Sequence, residues 1–207
     1  MTAVLSLGDL GCARGGRQLF SGLNLQLAGG QMLRVQGANG AGKTSLLRML
    51  CGLITPSAGE VRWRGQSVAS IGEAFGRELV YLGHAAGLKD DFSPLENLEF
   101  ACRLGGDNPA RPQALAALQA AGLSGFEQVP ARRLSQGQRR RAALARQALA
   151  DAAPLWVLDE PFNALDAAAT DWLQALLGAH LQRAGLVVLT SHQTALLPGA
   201  AQQVLSL

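Results

Sequence analysis

The sequence predicts an α/β fold: a mostly parallel sheet flanked by helices, with an N-terminal antiparallel β layer and an inserted helical subdomain. Short apolar runs alternate with amphipathic stretches, which is the pattern of successive βαβ units. Two runs, Leu155–Leu158 and Leu186–Thr190, are almost continuously apolar, as expected of strands buried on both faces. The length of 207 residues fits one domain that spans the whole chain.

Two more strands and the antiparallel layer are predicted in the first half of the chain. Residues 32–36 and Leu79–Leu82 are short, largely apolar runs, and each is followed by a glycine. The first forty residues contain six glycines between residues 11 and 30, a spacing that favours tight turns. We therefore expect these residues to form a small antiparallel layer.

Helix signals dominate the middle of the chain. Ser93 begins a capping box that predicts a helix to about residue 104, and a second helix is predicted over 113–121. Alanine, leucine and glutamine are frequent from there on, and all three favour helices. Residues from about 93 to 150 are therefore expected to form a helical subdomain inserted into a catalytic core of 1–92 and 151–207.

Composition excludes several classes of protein. Charged residues make up 16% and hydrophobic residues 48% of the chain, which excludes a disordered protein. No apolar stretch approaches the roughly 20 residues of a bilayer-spanning helix, and Asp9 interrupts any signal peptide. A net charge of +3 gives no reason to expect a nucleic-acid partner. The three cysteines are far apart in sequence and are expected to be buried or free thiols.

Each predicted strand of the parallel sheet ends in a glycine or a polar residue. The carboxyl ends of parallel strands meet at one edge of the sheet, where ligands bind in open α/β folds. We therefore expect the four ends to form one crevice. The residues that follow the strands are Gly37, His84, the pair Asp159 and Glu160, and the pair Ser191 and His192.

The stretch GANGAGKT at residues 37–44 is the sharpest functional signal. It fits the pattern GxxxxGK[ST] between a strand and a predicted helix over 44–50. Its glycines let backbone N–H groups face phosphate oxygens, and the helix N-terminus adds positive potential. Lys43 would reach the β and γ phosphates, while Thr44 would place its hydroxyl on Mg²⁺. The alternative is a glycine-rich turn with an incidental lysine. The predicted phosphate-loop residues are Gly37, Ala38, Asn39, Gly40, Ala41, Gly42, Lys43 and Thr44.

Two carboxylates follow the buried strand of the segment LWVLDE. Asp159, at the strand end, can hold Mg²⁺, and Glu160, one residue later, can polarise an attacking water. The alternative is that both residues merely end a strand at the surface. Beside a phosphate loop, the pair instead indicates hydrolysis of a nucleoside triphosphate.

The segment LSQGQ predicts a second anion-binding helix start. Ser135 would cap a helix that begins at Gln136, Gln138 completes a capping box, and Gly137 keeps the approach open. One γ-phosphate cannot sit on two helix starts that face different ways in a rigid monomer. Two copies of the chain arranged head to tail would solve this, because each would cover the nucleotide of the other.

The order of these segments resembles the ATP-binding subunits of ABC transporters along nearly the whole chain. In that family GANGAGKT, LSQGQ, LWVLDEP and residues 163–166 are the Walker A loop, signature, Walker B and D-loop. The resemblance implies a P-loop NTPase of ABC type that forms a homodimer around two ATP molecules with Mg²⁺. It also implies that Glu160 is the catalytic base and that His192 contacts the γ-phosphate. The residues it assigns to the partner's nucleotide are Ser135, Gly137 and Gln138.

Two positions depart from the family pattern. Thirteen residues before Asn97, where the family usually has the glutamine of the Q-loop, this chain has His84. An imidazole nitrogen could still bind Mg²⁺ or the lytic water, and a structural role in the loop is the alternative. Near Arg14 no aromatic residue is present to stack on adenine, which leaves base selectivity open.

The sequence of residues 83–98 and 12–20 resembles that of one subgroup of the family. This subgroup comprises the ATP-binding subunits of the haem exporter of c-type cytochrome maturation. This implies integral membrane subunits as partners and a peripheral position on the cytoplasmic face of the inner membrane. Lys89 lies in the segment that faces those subunits in relatives, although a solvated lysine is equally expected. The chain has no haem-attachment CxxCH, so direct haem binding is not predicted.

Two alternatives to a haem exporter stay open. The first is a subunit of another ABC exporter, for a drug or a lipid, and the second is a soluble P-loop ATPase without a transport role. A kinase or GTPase would share the phosphate loop, but neither needs LSQGQ.

The arginine runs 132–133 and 139–141 are expected to be solvated or salt-bridged faces rather than sites for an anionic partner.

Overall fold

The computed structural model of the chain describes residues 4–191, 197 and 200–207. Within them, four strands form an antiparallel sheet and five form a parallel sheet. The strands are β1 (Leu5–Arg14), β2 (Arg17–Leu27), β3 (Gln31–Gln36), β4 (Ala58–Trp63), β5 (Gln66–Ser67), β6 (Leu79–Leu82), β7 (Leu155–Leu158), β8 (Leu186–Thr190) and β9 (Ala201–Ser206). The helices are α1 (Lys43–Leu50), α2 (Val68–Gly76), α3 (Pro94–Leu104), α4 (Arg111–Ala120), α5 (Gln136–Leu144) and α6 (Ala167–Gln182), with 3-10 turns at Ala131–Arg133 and Ala145–Leu149.

The parallel sheet has the strand order β6-β7-β8-β3-β9, which confirms the predicted fold class. The four predicted strands are present within one residue of their expected bounds. Successive residues of β7 point to opposite faces, so Leu155 and Val157 pack on the side of α1 while Trp156 and Leu158 pack on the side of α6. This two-sided burial explains why the strand is apolar at every position.

The antiparallel layer is larger than the expected one and extends beyond the first forty residues. It has the order β2-β1-β4-β5, so two of its strands follow α1 in sequence, whereas β3 belongs to the parallel sheet. In β4 the buried Val61 and Trp63 alternate with Arg62, and they pair with Leu7 and Leu5 of β1. The alternation is a strand signal, but only pairing with the distant β1 assigns it to this sheet.

Helices α3, α4 and α5 surround a small core of their own. It is built from Leu95, Leu98, Leu118 and Leu123, together with several alanines that allow the helices to approach closely. The predicted capping box of α3 is present: the Glu96 N–H donates to the Ser93 hydroxyl, and the Glu96 carboxylate accepts from the Ser93 N–H. The two middle helices are confirmed, while the subdomain boundaries at 93 and 150 stay a prediction.

The cysteines and the arginine runs lie as predicted from the sequence, except for Arg140. Cys12, Cys51 and Cys102 are buried free thiols. No helix among the described residues is long and apolar enough to span a membrane. The arginine runs form ion pairs as expected, with Arg132 on Asp91, Arg139 on Asp90 and Arg141 on Asp166.

Arg140 departs from the expectation for its run. It is only 6% exposed and points under the sheet edge rather than into solvent.

Candidate functional site

The four predicted strand ends lie side by side in the sheet. The strand β8 lies between β3, which leads into the glycine-rich loop, and β7, which leads into the two carboxylates. The end of β6 follows on the far side of β7. The structure therefore brings residues 37–44, His84, Asp159, Glu160 and Ser191 to one edge, while His192 lies outside the described residues.

Two glycines of the loop 37–44 are required by their surroundings. Gly42 has a φ of 107°, and a Cβ there would lie 3.1 Å from the ring of Phe20. A Cβ on Gly37 would lie 2.7 Å from the backbone oxygen of Leu207. Because the N-cap residue of α1 is Gly42, it has no side chain to cap the first-turn N–H groups, and such a helix start binds anions.

The remaining loop residues present backbone and one ammonium group. Ala38, Asn39 and Gly40 form the exposed tip, and Ala41 is half-buried. The Lys43 ammonium donates to the carbonyl oxygens of Gly37 at 2.8 Å and Ala38 at 3.2 Å, so the charge lies over the loop. The loop thus combines a cation with a helix start, and both attract phosphate oxygens.

A buried hydroxyl network connects this loop to the first carboxylate. The Thr44 hydroxyl donates to Oδ2 of Asp159 at 2.8 Å, and the Thr190 hydroxyl donates to Oδ1 of the same carboxylate at 2.7 Å. Asp159 is 2% exposed and Thr190 is fully buried. Two charge-assisted bonds therefore fix the carboxylate beside the start of α1. Sequence reasoning missed Thr190, whose only signal is a polar residue at the end of an apolar run.

Glu160 is held by its backbone in an unusual conformation. Its φ is 51°, in the left-handed region, and its N–H donates to the Thr190 hydroxyl at 2.7 Å. Its carbonyl accepts from Nη2 of Arg140 at 2.8 Å. The half-buried side chain lines a cavity of about 510 Å³ that the exposed His84 also lines. Glu160 and His84, which are far apart in sequence, therefore face one space.

The LSQGQ segment forms the predicted capping box at the start of α5. The Gln138 N–H donates to the Ser135 hydroxyl at 3.2 Å, and the Ser135 N–H donates to the Gln138 side chain at 2.8 Å. Ser135 is exposed, whereas Gly137 and Gln138 are half-buried. A Cβ on Gly137 would lie 2.7 Å from the carbonyl oxygen of Ala164, so glycine lets the helix start touch the loop that follows β7. The helix start remains open towards solvent.

Comparison with known proteins gives a consistent result. Residues 20–163 match the family described as ABC transporter. The cytochrome c biogenesis ATP-binding export protein CcmA of Dechloromonas aromatica is 48% identical over 99% of this chain and 100% of its own length. The protein of the same name from Aromatoleum aromaticum is 53% identical over 94% of this chain and 91% of its own length.

Solved structures share the fold at lower identity. A dimeric ATP-binding cassette in a post-hydrolysis state with ADP and phosphate aligns with a TM-score of 0.84 at 23% identity, covering 98% of this chain and 94% of its own. An ATP-binding protein of a putative ABC transporter from Pyrococcus furiosus aligns with a TM-score of 0.82 at 22% identity, covering 97% and 96%. These likenesses support the fold and extend over both sheets and the helices between them.

Proposed function

Since this chain belongs to the ABC transporter family, we propose that it is the ATP-hydrolysing subunit of a membrane complex that handles haem for c-type cytochrome biogenesis. Membership of this family makes the chain an ATPase. The observation that carries the chemistry is the 2.8 Å bond between Thr44 and Asp159, which joins the phosphate loop to the carboxylate pair. The proposal of a role in cytochrome c biogenesis is supported by relatives of that name at about half identity over nearly the whole chain.

The oxygen groups around Thr44 fit Mg²⁺. The cation prefers hard oxygen ligands, and here a hydroxyl and a carboxylate lie within 2.8 Å of each other at the start of α1. Thr44 and Asp159 would hold the ion, which supplies neutralising charge to the phosphates when bound. Lys43 and the N–H groups of residues 37–44 would hold the phosphate chain of ATP. Thr190 keeps the Asp159 carboxylate turned towards Thr44.

Glu160 is proposed as the general base. A half-buried carboxylate that lines the cavity can accept a hydrogen bond from water and take its proton as the water attacks the γ-phosphate. His84 lines the same cavity, so its imidazole can orient that water or a ligand of Mg²⁺. The assignment of His192 to the γ-phosphate rests on the family resemblance alone.

A homodimer is proposed from the second anion-binding helix start. Ser135, Gly137 and Gln138 begin α5, whereas Lys43 begins α1, so the chain has two places suited to phosphate. In a head-to-tail pair each ATP would lie between Lys43 of one copy and Ser135 of the other. A solved relative with the same fold has been described as dimeric.

Integral membrane subunits are the proposed partners, at the cytoplasmic face of the inner membrane. A groove of about 650 Å³ runs between the 83–89 segment and α3. The exposed Phe100 and Leu104 give it an apolar wall, and Lys89 lies 4.0 Å from the Phe100 ring centroid. Arg48 and Arg146 add cations to its lining, so the groove suits a short amphipathic helix with an acidic residue. Neither nucleic acid nor haem is an expected direct ligand.

Replacement of Glu160 by glutamine tests the proposed function. Purified Glu160→Gln should bind ATP normally, while hydrolysis falls by about 10² or more, as expected when a general base is lost. Glu73→Gln is the matched control, since Glu73 is exposed on α2 and pairs only with Arg77 among the residues described. A wild-type rate of hydrolysis in Glu160→Gln would disprove the base assignment.

Cells test the biological part of the proposal. Cells whose only copy carries Glu160→Gln should lack mature c-type cytochromes on haem-stained gels while other haem proteins form normally. Cells with Glu73→Gln should make both. Normal cytochrome c together with lost ATPase activity would remove the haem role and favour an exporter of a drug or a lipid.

A further inference from the structure

Arg140 joins two strand ends through four backbone carbonyl groups. Its Nη1 donates to the carbonyl oxygens of Gly83 at 3.0 Å and His84 at 3.2 Å. Its Nη2 donates to those of Asp159 at 2.5 Å and Glu160 at 2.8 Å. The guanidinium therefore links the end of β6 to the end of β7, and it does so from α5, a helix outside the sheet.

The position of this guanidinium is costly, which indicates a specific role. It is almost fully buried, and burial lowers the pKa of Arg140, although the nearby Asp159 and Glu160 carboxylates oppose the shift. Arginine keeps its charge because its ordinary pKa is far above neutrality. A buried charge is expensive, and an apolar side chain usually stabilises such a position as well or better. Only a planar fork with several donors can bond both strand ends at once.

The carbonyl bonds fix backbone that leads directly to the proposed catalytic groups. The Glu160 backbone is held on both sides of its Cα: the N–H donates to Thr190, and the carbonyl oxygen accepts from Arg140. A left-handed φ at a residue other than glycine persists only when its surroundings enforce it. Arg140 holds the His84 carbonyl in the same way, and the side chains of Glu160 and His84 line one cavity.

We propose that Arg140 is a positioning residue that couples the orientation of α5 to the placement of Glu160 and His84. Arg140 lies five residues after Ser135, roughly 7.5 Å along the helix axis at 1.5 Å per residue. Contact of the α5 start with a phosphate of the partner copy would thus be transmitted to the hydrolytic groups through little more than one helical turn. The inference rests on the proposed roles of Glu160 and Ser135, and it assigns to Arg140 an effect on turnover rather than on ATP affinity.

Two substitutions of Arg140 and a matched control test this role. Arg140→Gln removes the charge and leaves one NH2 group in place of two, while Arg140→Lys keeps the charge but reaches fewer carbonyls. We expect kcat of Arg140→Gln to fall by about 10- to 100-fold, since small misplacements of a catalytic group cost that much. The KM for ATP should change by less than about threefold, and Arg140→Lys should recover part of kcat. Arg183→Gln is the control, because Arg183 is exposed and paired with Asp151, next to the opposite ends of β7 and β8.

A double variant separates positioning from general damage to the fold. If Arg140 acts through Glu160 and His84, then Arg140→Gln should lower kcat clearly less in a Glu160→Gln background than in the wild-type background. A fall of kcat in the Glu160→Gln background as large as that in the wild-type background would overturn the proposal, and so would a rise of KM that matches the fall of kcat. Wild-type turnover in Arg140→Gln would overturn it as well. If Arg140→Gln fails to fold, Arg140→Lys takes its place in the test, and a wild-type kcat in that variant would overturn the proposal. Wild-type activity of Glu160→Gln would refute only the assignment of Glu160 as the general base.

Discussion

Removal of the Thr190 hydroxyl should weaken the fold and hydrolysis together. This hydroxyl donates to the Asp159 carboxylate and accepts from the Glu160 N–H, both at 2.7 Å, and the residue is fully buried. Valine has nearly the same shape as threonine, so Thr190→Val removes these two bonds without opening a cavity. The Asp159 carboxylate would keep its bond from Thr44, while the Glu160 N–H would lose its partner at Thr190.

The size of the effect follows from the two lost bonds. A hydrogen bond to a charged group contributes about 1.5–3 kcal/mol, and an ordinary hydrogen bond, such as that from the Glu160 N–H, contributes about 0.5–1.5 kcal/mol. The two effects overlap because one hydroxyl serves both groups, so we expect the free energy of unfolding to fall by about 3 kcal/mol. For a chain of this length that corresponds to a fall in Tm of about 6–12 °C.

Urea and thermal unfolding followed by circular dichroism measure this loss directly. Thr190→Ser is the control, since it keeps the hydroxyl and removes one methyl group, at a cost of about 1 kcal/mol. Thr55→Val makes the same chemical change at an exposed position. We also expect kcat to fall in Thr190→Val, because the Glu160 N–H loses its bond to the Thr190 hydroxyl. An unfolding midpoint equal to that of the wild-type protein would refute the argument that this hydroxyl holds the site.

Three further results are expected. His84→Gln should keep substantial ATPase activity, since an amide oxygen can replace an imidazole nitrogen as a ligand, whereas His84→Ala should impair it. Equal rates in the wild-type protein and both variants would reduce His84 to a loop residue. The Lys43→Ala protein and the Ser135→Arg protein should each be inactive alone. Mixing them should restore some ATPase activity, because one site of the heterodimer then has two intact halves. Confirmed subunit exchange without recovery of activity would argue against a shared site. Burial lowers the pKa of His180, which stacks on Trp156, so the unfolded chain binds more protons than the folded chain below about pH 6.5. The free energy of unfolding should therefore fall as pH drops, by at most about 1.4 kcal/mol per pH unit. His180→Phe should flatten this slope in urea titrations from pH 7 to pH 5.5, and an unchanged slope would exclude His180 as its source.

Predictions from sequence succeeded where local signals and tertiary packing agree. The strands β7 and β8 are apolar at every interior position because both faces are covered, and α1 and α3 begin at strong helix-start signals. The strand β9 was not predicted, since Ala201–Ser206 is rich in glutamine and half-exposed. It is held at the sheet edge by its register with β3, including a 2.8 Å bond from the Gln36 amide to the Ser206 hydroxyl. Such long-range pairing leaves little trace in the local sequence.

Sequence reasoning missed two functional residues, Arg140 and Thr190, which hold Asp159 and Glu160 in place. Arg140 lies inside a run of three arginines, and charge runs normally belong to solvated faces. In the structure Arg140, Leu144 and Gln147 are all buried, but two of the three are polar, so the sequence shows no apolar stripe that would set Arg140 apart. Thr190 shows no such pattern either. Its importance follows only from the strand order, which places β8 between β3 and β7.

The strand order also explains how the two carboxylates can be controlled separately. From the sheet, Thr190 at the end of β8 holds the Asp159 side chain and the Glu160 N–H. From the helical side, Arg140 on α5 holds only carbonyl oxygens of these two residues. A change in the sheet should therefore alter the metal ligand and the base together, with a loss of stability. A change in α5 should move Glu160 more than the Asp159 carboxylate, because Thr44 and Thr190 still hold that carboxylate. Turnover can therefore respond to the position of α5 while ATP stays bound.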